Sequence, residues 1–191
     1  MNTSTKDITE RKIAEHKLEQ MALYDFLTGL PNRLTFHDRL QHTLKQAHRE
    51  NHQAGLMFVD LDRFKSINDT LGHASGDALL KTVSKWLSGC VRECDTVARI
   101  GGDEFAVILD NINQPGDAVH TARRILTAFA EPVIYEGKEI FSSASIGIAI
   151  YPLDAQSTED LLKNADIAMY QAKKGGGNGF CLFSGEIRKA V

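Results

Sequence analysis

Two short apolar runs, residues 97–100 and 105–109, stand on either side of Gly101-Gly102-Asp103-Glu104. Only a hairpin joins neighbouring strands across so short a link, because a parallel crossover needs about a dozen residues or more. Around this pair, segments with helical spacing alternate with extended ones. That order predicts an α/β (α+β) chain: a central mixed sheet with an antiparallel hairpin, flanked by helices. The turn also carries a chemical hint, since two glycines let a ligand lie against the backbone beside two carboxylates.

The other elements follow from spacing. Asp7, with Glu10 in the capping position, starts an amphipathic helix over 7–23. Its stripe, Ile13, Ala14, Leu18, Met21 and Ala22, is thin for a core helix and reads as a linker that pairs with its own copy or packs on a neighbouring module. Asn32 caps a helix in which Phe36, Leu40, Thr43, Leu44 and Ala47 repeat at helical spacing. Residues 56–61 read as a buried strand, followed by a helical stretch over 64–87 that Gly72 and Gly76 interrupt. A helix over 117–130 turns Ala118, Ala122, Ile125, Leu126 and Phe129 inward. Residues 133–135 and 140–150 predict a second hairpin across Glu136-Gly137-Lys138. Ser157 and Asp160 cap a last helix, Gly175-Gly176-Gly177 ends it, and a strand over 180–183 closes the domain. The division expected is a linker over 1–23, one domain over 24–184 and a tail over 185–191.

Lys and Arg number 22 against 25 Asp and Glu, a net charge of −3. This near balance excludes coating of nucleic acid or anionic lipid by bulk charge, while leaving room for a local phosphate pocket. The 3 cysteines, Cys90, Cys94 and Cys181, lack metal-like spacing, so free thiols in a reducing compartment are expected. No apolar run approaches the ~18 residues of a membrane span, and residues 1–9 contain no signal region. The expected location is cytoplasmic, with a membrane-tethered longer protein left open.

Phe58-Val59-Asp60-Leu61-Asp62 puts acids at the carboxyl end of the buried strand. If this strand neighbours the hairpin, three or four of Asp60, Asp62, Asp103 and Glu104 converge. Two such charges ~4 Å apart repel by roughly 4 kcal/mol at an effective dielectric of about 20, so a fold gathers them only around a cation. Oxygen-only ligands favour Mg²⁺, which is usually bound together with substrate phosphates. Either piece alone reads better as a strand end or a plain turn; together they favour a site.

Arg99-Ile100-Gly101-Gly102-Asp103-Glu104-Phe105 resembles the signature of the GGDEF family of diguanylate cyclases. So do the opening motif from Asp25 to Arg33, the stretch from Asp60 to Asp69, Leu71-Gly72-His73 through Gly76-Asp77, and the last helix from Ala165 to Lys173. The resemblance implies a palm-like, ferredoxin-like βαββαβ core, as in nucleotide cyclases, that condenses two GTP molecules into cyclic di-GMP and pyrophosphate. It implies that Asp60, Asp103 and the Leu61 carbonyl hold Mg²⁺ (or Mn²⁺), two ions per site. Glu104 would sit at the second metal or help deprotonate the ribose 3′-hydroxyl. Asn68 and Asp77 would read guanine. Lys65, Lys173 and the N–H groups of Phe64 and Lys65 would contact the phosphates. One departure stands out: Gly177 occupies the place of an expected phosphate-binding arginine; Lys174 is the nearby candidate to substitute, but its helical direction differs from that of Lys173 by about 100°.

Arg92-Glu93-Cys94-Asp95 matches the family's inhibitory site for its own product in residue types and in distance from Gly101. Arg123 fits its supporting arginine. A two-fold symmetric product needs two sites face to face, so the expected partners are GTP, cyclic di-GMP and a second copy of the chain. Asp7-Ile8-Thr9-Glu10 resembles the exit of a PAS sensory domain, and an EAL-type domain is a candidate to follow. No nucleic-acid partner is expected. The alternative from another class is a catalytically weak or silent GTP- or cyclic di-GMP-binding regulatory module.

Overall fold

The computed structural model describes residues 22–183 and a two-residue strand at 188–189. The expected linker helix over 7–23 and the tail over 185–191 lie almost wholly outside the described residues. Helix α1 (Arg33–Glu50) starts at Asn32, whose side chain accepts from the Thr35 N–H at 3.1 Å. Strand β1 (Gln53–Asp62) follows, then two consecutive helices, α2 (Phe64–Leu71) and α3 (His73–Gly89). The hairpin is β2 (Thr96–Gly101) and β3 (Glu104–Ile112). Helix α4 (Pro115–Ala128) leads to a small ribbon, β4 (Val133–Tyr135) and β5 (Lys138–Ile140). Strand β6 (Ser143–Tyr151), helix α5 (Thr158–Lys174), β7 (Gly179–Leu182) and β8 (Arg188–Lys189) complete it.

The main sheet has the order β2-β3-β1-β6-β7-β8. β1 pairs antiparallel with both β3 and β6, and β6 pairs parallel with β7. Thus β1, α2–α3, β2, β3, α4 and β6 form the expected βαββαβ core, and α5–β7 extends it.

Alternation along β1 divides the interior into two layers. Met57, Val59 and Leu61 face α3 and α4, joining Leu79, Leu80, Val83, Leu87, Ala118, Ala122 and Ile125. Ala54 and Leu56 face α1 and α5, joining Phe36, Leu40, Leu44, Leu161 and Ala165. The period of two places Asp60 on this α1/α5 side, at the sheet end where α5 finishes. Gly147 of β6 brings α5 close: a Cβ there would collide with backbone at Ala165 and Met169.

Three local expectations are corrected. Gly76 does not interrupt a helix but lies buried within α3, where α2 crosses so closely that a Cβ would overlap Asn68. Residues 140–150 are not one strand. β5 ends at Ile140, Phe141 lies 67% exposed, and β6 begins at Ser143 in the main sheet. The two strands serve different partners, β4 and β1, so the chain must change direction between them. Helix α4 begins at Pro115 rather than Asp117, because proline suits the first helical position and the Asp117 carboxylate accepts the Asn113 N–H at 2.9 Å.

Candidate active site

The antiparallel register sets Asp60 directly opposite Glu104, and the Leu61 N–H donates to the Asp103 carbonyl at 3.2 Å. The strand end and the hairpin acids therefore meet. Asp60 is nearly buried, at 5% exposure, while Glu104 is exposed at the tip. Lys173, near the end of α5, places Nζ 2.8 Å from Asp60 Oδ2. Burial pushes the Asp60 carboxyl above the usual carboxylate range; the Lys173 hydrogen bond opposes this, and the charges of Asp103 and Glu104 reinforce it. Burial works against the charged form of Lys173, but its bond to Asp60 and the acids around it outweigh that and hold it above its ordinary value. The site thus has an excess of negative charge that favours any cation.

Among the described residues, no three acidic, histidine or cysteine side chains form a metal cage by themselves. Mg²⁺ does not require one, since one or two carboxylates plus substrate phosphates usually hold it. Asp60, Asp103 and Glu104 offer the oxygen donors that such an ion takes.

Asp62 does not join this group. Its carboxylate accepts from the Ser143 and Ser145 hydroxyls, each at 2.7 Å, and from the Asn178 N–H at 2.8 Å. Sequence spacing could not separate it from Asp60, because residues two apart on a strand share a face.

Beside β1, α2 opens with Phe64 and Lys65 after Arg63, which has a left-handed backbone (φ 58°) and provides no side-chain cap. The first N–H groups of the helix are left for another acceptor. Asn68, one turn on, has a buried Oδ1 without a hydrogen-bond partner. The buried Gly76 lies against it, and Asp77 follows, exposed, on α3. Asn68 Oδ1 is thus an acceptor without a partner, with the Asp77 carboxylate on the adjoining turn of α3. On the α1/α5 side of Glu104, a cavity of about 320 Å³ is lined by Phe36, Phe58, Ile100 and Met169.

The hairpin is braced by an ion pair between Arg99 and Asp25. Arg99 donates to the Gly102 carbonyl through Nε and Nη2 at 3.1 and 2.7 Å, and its Nη1 lies 3.1 Å from both oxygens of Asp25. Asp25 also accepts from the Thr28 N–H and hydroxyl at 2.9 and 2.7 Å. Burial alone would raise the Asp25 carboxyl, but the bonds from Thr28 and Arg99 outweigh it and hold it below the usual range.

At the other end of β2, Asp95 accepts from the Arg92 N–H at 2.8 Å and the Asp110 N–H at 3.0 Å, so its carboxylate is anchored to β3. A cavity of about 100 Å³ there is lined by Arg92, Asp95, Asp117, His120 and Arg124. Arg123, the residue expected from sequence, instead lies over the Phe180 ring, 5.9 Å from its centroid. Successive helical residues differ by about 100°, and the buried Ala122 and Ile125 set the phase that puts Arg124 on this cavity, where its Nη2 donates to the Gly89 carbonyl at 3.3 Å. Lys174 lies over the Tyr170 ring, 4.6 Å from its centroid.

Comparison with known proteins bears on this arrangement. The family described as "Diguanylate cyclase, GGDEF domain" matches residues 22–179. The bifunctional diguanylate cyclase/cyclic di-GMP phosphodiesterase MucR of Pseudomonas aeruginosa is 43% identical over 174 residues, covering 91% of this chain and 25% of that protein. The diguanylate cyclase TpbB of the same organism is 44% identical over 158 residues, covering 82% of this chain and 36% of that protein. The chain thus spans about a quarter to a third of these relatives. A solved structure of the TpbB GGDEF domain alone superimposes with a TM-score of 0.83 at 42% identity, covering 84% of this chain and 94% of that one.

Proposed function

The chain belongs to the GGDEF-domain diguanylate cyclase family, and on that premise we propose that it is itself a working cyclase, condensing two GTP molecules into cyclic di-GMP and two pyrophosphates. The observation that carries this reading is the meeting of Asp60 with Glu104 on adjacent strands, with Lys173 at 2.8 Å from Asp60.

In this reading, Asp60, Asp103, Glu104 and the Leu61 carbonyl would hold two Mg²⁺ or Mn²⁺ ions. When bound, the metal would supply Lewis acidity toward the attacking 3′-hydroxyl and positive charge toward the leaving pyrophosphate. The uncapped N–H groups of Phe64 and Lys65 receive phosphate oxygens, with Lys65 and Lys173 as mobile point charges. Asn68 Oδ1 and the Asp77 carboxylate accept from the guanine N1–H and 2-amino group. Adenine lacks that pair of donors and would leave the acceptors unpaired. Each site delivers one 3′-hydroxyl to the other's α-phosphate, so the active species is a two-fold dimer.

The anchored Arg92–Asp95 turn, with Arg124 beside it, supports product inhibition by cyclic di-GMP. A PAS-type domain before the chain, an EAL-type domain after it and a cytoplasmic location complete the proposal. Among the described residues, no helix is long and apolar enough to cross a membrane.

Gly177 favours a second reading, a module that binds GTP or cyclic di-GMP without turnover, because the phosphate end has one cation fewer than the family pattern implies. Incubation with GTP and Mg²⁺, followed by chromatography, separates the two. Cyclic di-GMP that disappears in Asp103→Ala is the expected result. A dimeric sample that binds GTP and forms none refutes the cyclase and leaves the module.

A further inference from the structure

Asp62 is the acid of the strand-end group that the proposed chemistry does not use. Its carboxylate joins three chain segments: the end of β1, the start of β6 through Ser143 and Ser145, and the turn leaving α5 through the Asn178 N–H. That turn folds back over the end of α5. The Gly176 N–H donates to the Lys173 carbonyl at 3.1 Å, and the Gly177 N–H to the Ala172 carbonyl at 3.2 Å. Gly177 itself has φ +72°, and a Cβ there would lie 2.9 Å from Asp62 Oδ2. The chain therefore passes against the carboxylate with no space for a side chain in this conformation.

We propose that Asp62 is a positioning residue for the phosphate site: by anchoring the glycine turn, it fixes the last turn of α5 and with it the placement of Lys173 beside Asp60. The inference rests on the reading of Lys173 as a phosphate contact and deepens it. With no side chain at 177, phosphate binding depends on how well Lys173 is placed alongside Lys65.

A brace that merely stabilises the sheet would make the same hydrogen bonds, so the test couples Asp62 to Lys173. Binding of Mg²⁺ with a non-reactive GTP analogue is measured by calorimetry for wild type, Asp62→Ala, Lys173→Ala and the double variant. If Asp62 acts through Lys173, each single variant loses about tenfold in affinity and the double loses little more than Lys173→Ala. Wild-type affinity in Asp62→Ala, or two losses that multiply, overturns the proposal. Should Asp62→Ala not fold, Asp62→Asn and Ser143→Ala/Ser145→Ala take its place, with the same pattern expected against Lys173→Ala. Amide hydrogen exchange in nucleotide-free protein reads the anchor independently: Asn178 is protected in wild type and exchanges about tenfold faster in Asp62→Asn. Equal exchange overturns the anchor. An anchored wild-type protein that binds no nucleotide overturns the substrate reading, and the positioning role with it.

Discussion

Replacing Asp25 with alanine separates the hairpin's brace from its chemistry, because Asp25 contacts Arg99 and Thr28 but none of the residues assigned to metal or nucleotide. The Arg99 and Asp25 side chains are 11% and 17% exposed and 3.1 Å apart. Removing one partner costs about 3–5 kcal/mol for a buried pair and about 0.2–1 kcal/mol for an exposed one. This pair lies nearer the buried limit, and two hydrogen bonds from Thr28 are lost as well, so a destabilisation of about 2–3 kcal/mol is expected. For a domain of this size that lowers Tm by roughly 5–10 °C. The freed Arg99 no longer fixes the Gly102 carbonyl, so turnover falls further than stability alone explains.

The effect has a pH signature. The folded-state pKa of Asp25 is depressed, so its contribution is fully present above the unfolded value and is lost as pH falls through the folded one. The Tm gap between wild type and Asp25→Ala therefore narrows in acid. Thermal melts from neutral to acidic pH, paired with product assays well below Tm, measure both effects. A gap of under about 1 °C at neutral pH, or one that widens in acid, refutes the reasoning.

Gly147→Ala drives a Cβ into the backbone of α5 and is expected to destabilise by about 3 kcal/mol or more, read by urea unfolding. Arg124→Ala weakens cyclic di-GMP binding in calorimetry about tenfold or more, whereas Arg123→Ala leaves it within about twofold, since Arg123 lies on Phe180. Burial raises the Asp154 carboxyl, with the Ile150 N–H opposing. The folded state therefore holds that proton to higher pH than the unfolded chain, and stability falls as pH rises from the usual carboxylate range through the raised value. Asp154→Asn removes that decline, so the Asp154→Asn minus wild-type difference in Tm grows across that window and is flat above it.

Much of the site was legible because its chemistry is local. Gly101-Gly102 between apolar runs dictates a hairpin, Asn32 and Ser157 cap helices through contacts three residues away, and the hairpin acids are fixed to a tip by chain connectivity. The break between β5 and β6 at Phe141 and Ser142 was hidden, because extended spacing on both sides does not reveal that the two halves pair with different strands. Gly76 carried the usual sign of a helix break, and only the crossing of α2 turned it into a contact point.

By itself, the sequence determined which groups exist and their order along the chain: the acids of β1 and the hairpin, the lysine ending α5, the Arg-x-x-Asp turn. Short-range periodicity and turn chemistry suffice for that. The tertiary structure alone decided which of these groups meet. Asp60 and Asp62 share one strand face, yet Asp60 pairs with Lys173 while Asp62 holds the Asn178 turn. Arg123 and Arg124 are neighbours, yet a rotation of about 100° sends them to different surfaces. Such outcomes depend on strand register and helix phase, which are set by the burial of residues far away in the chain and not by the side chains whose roles they assign.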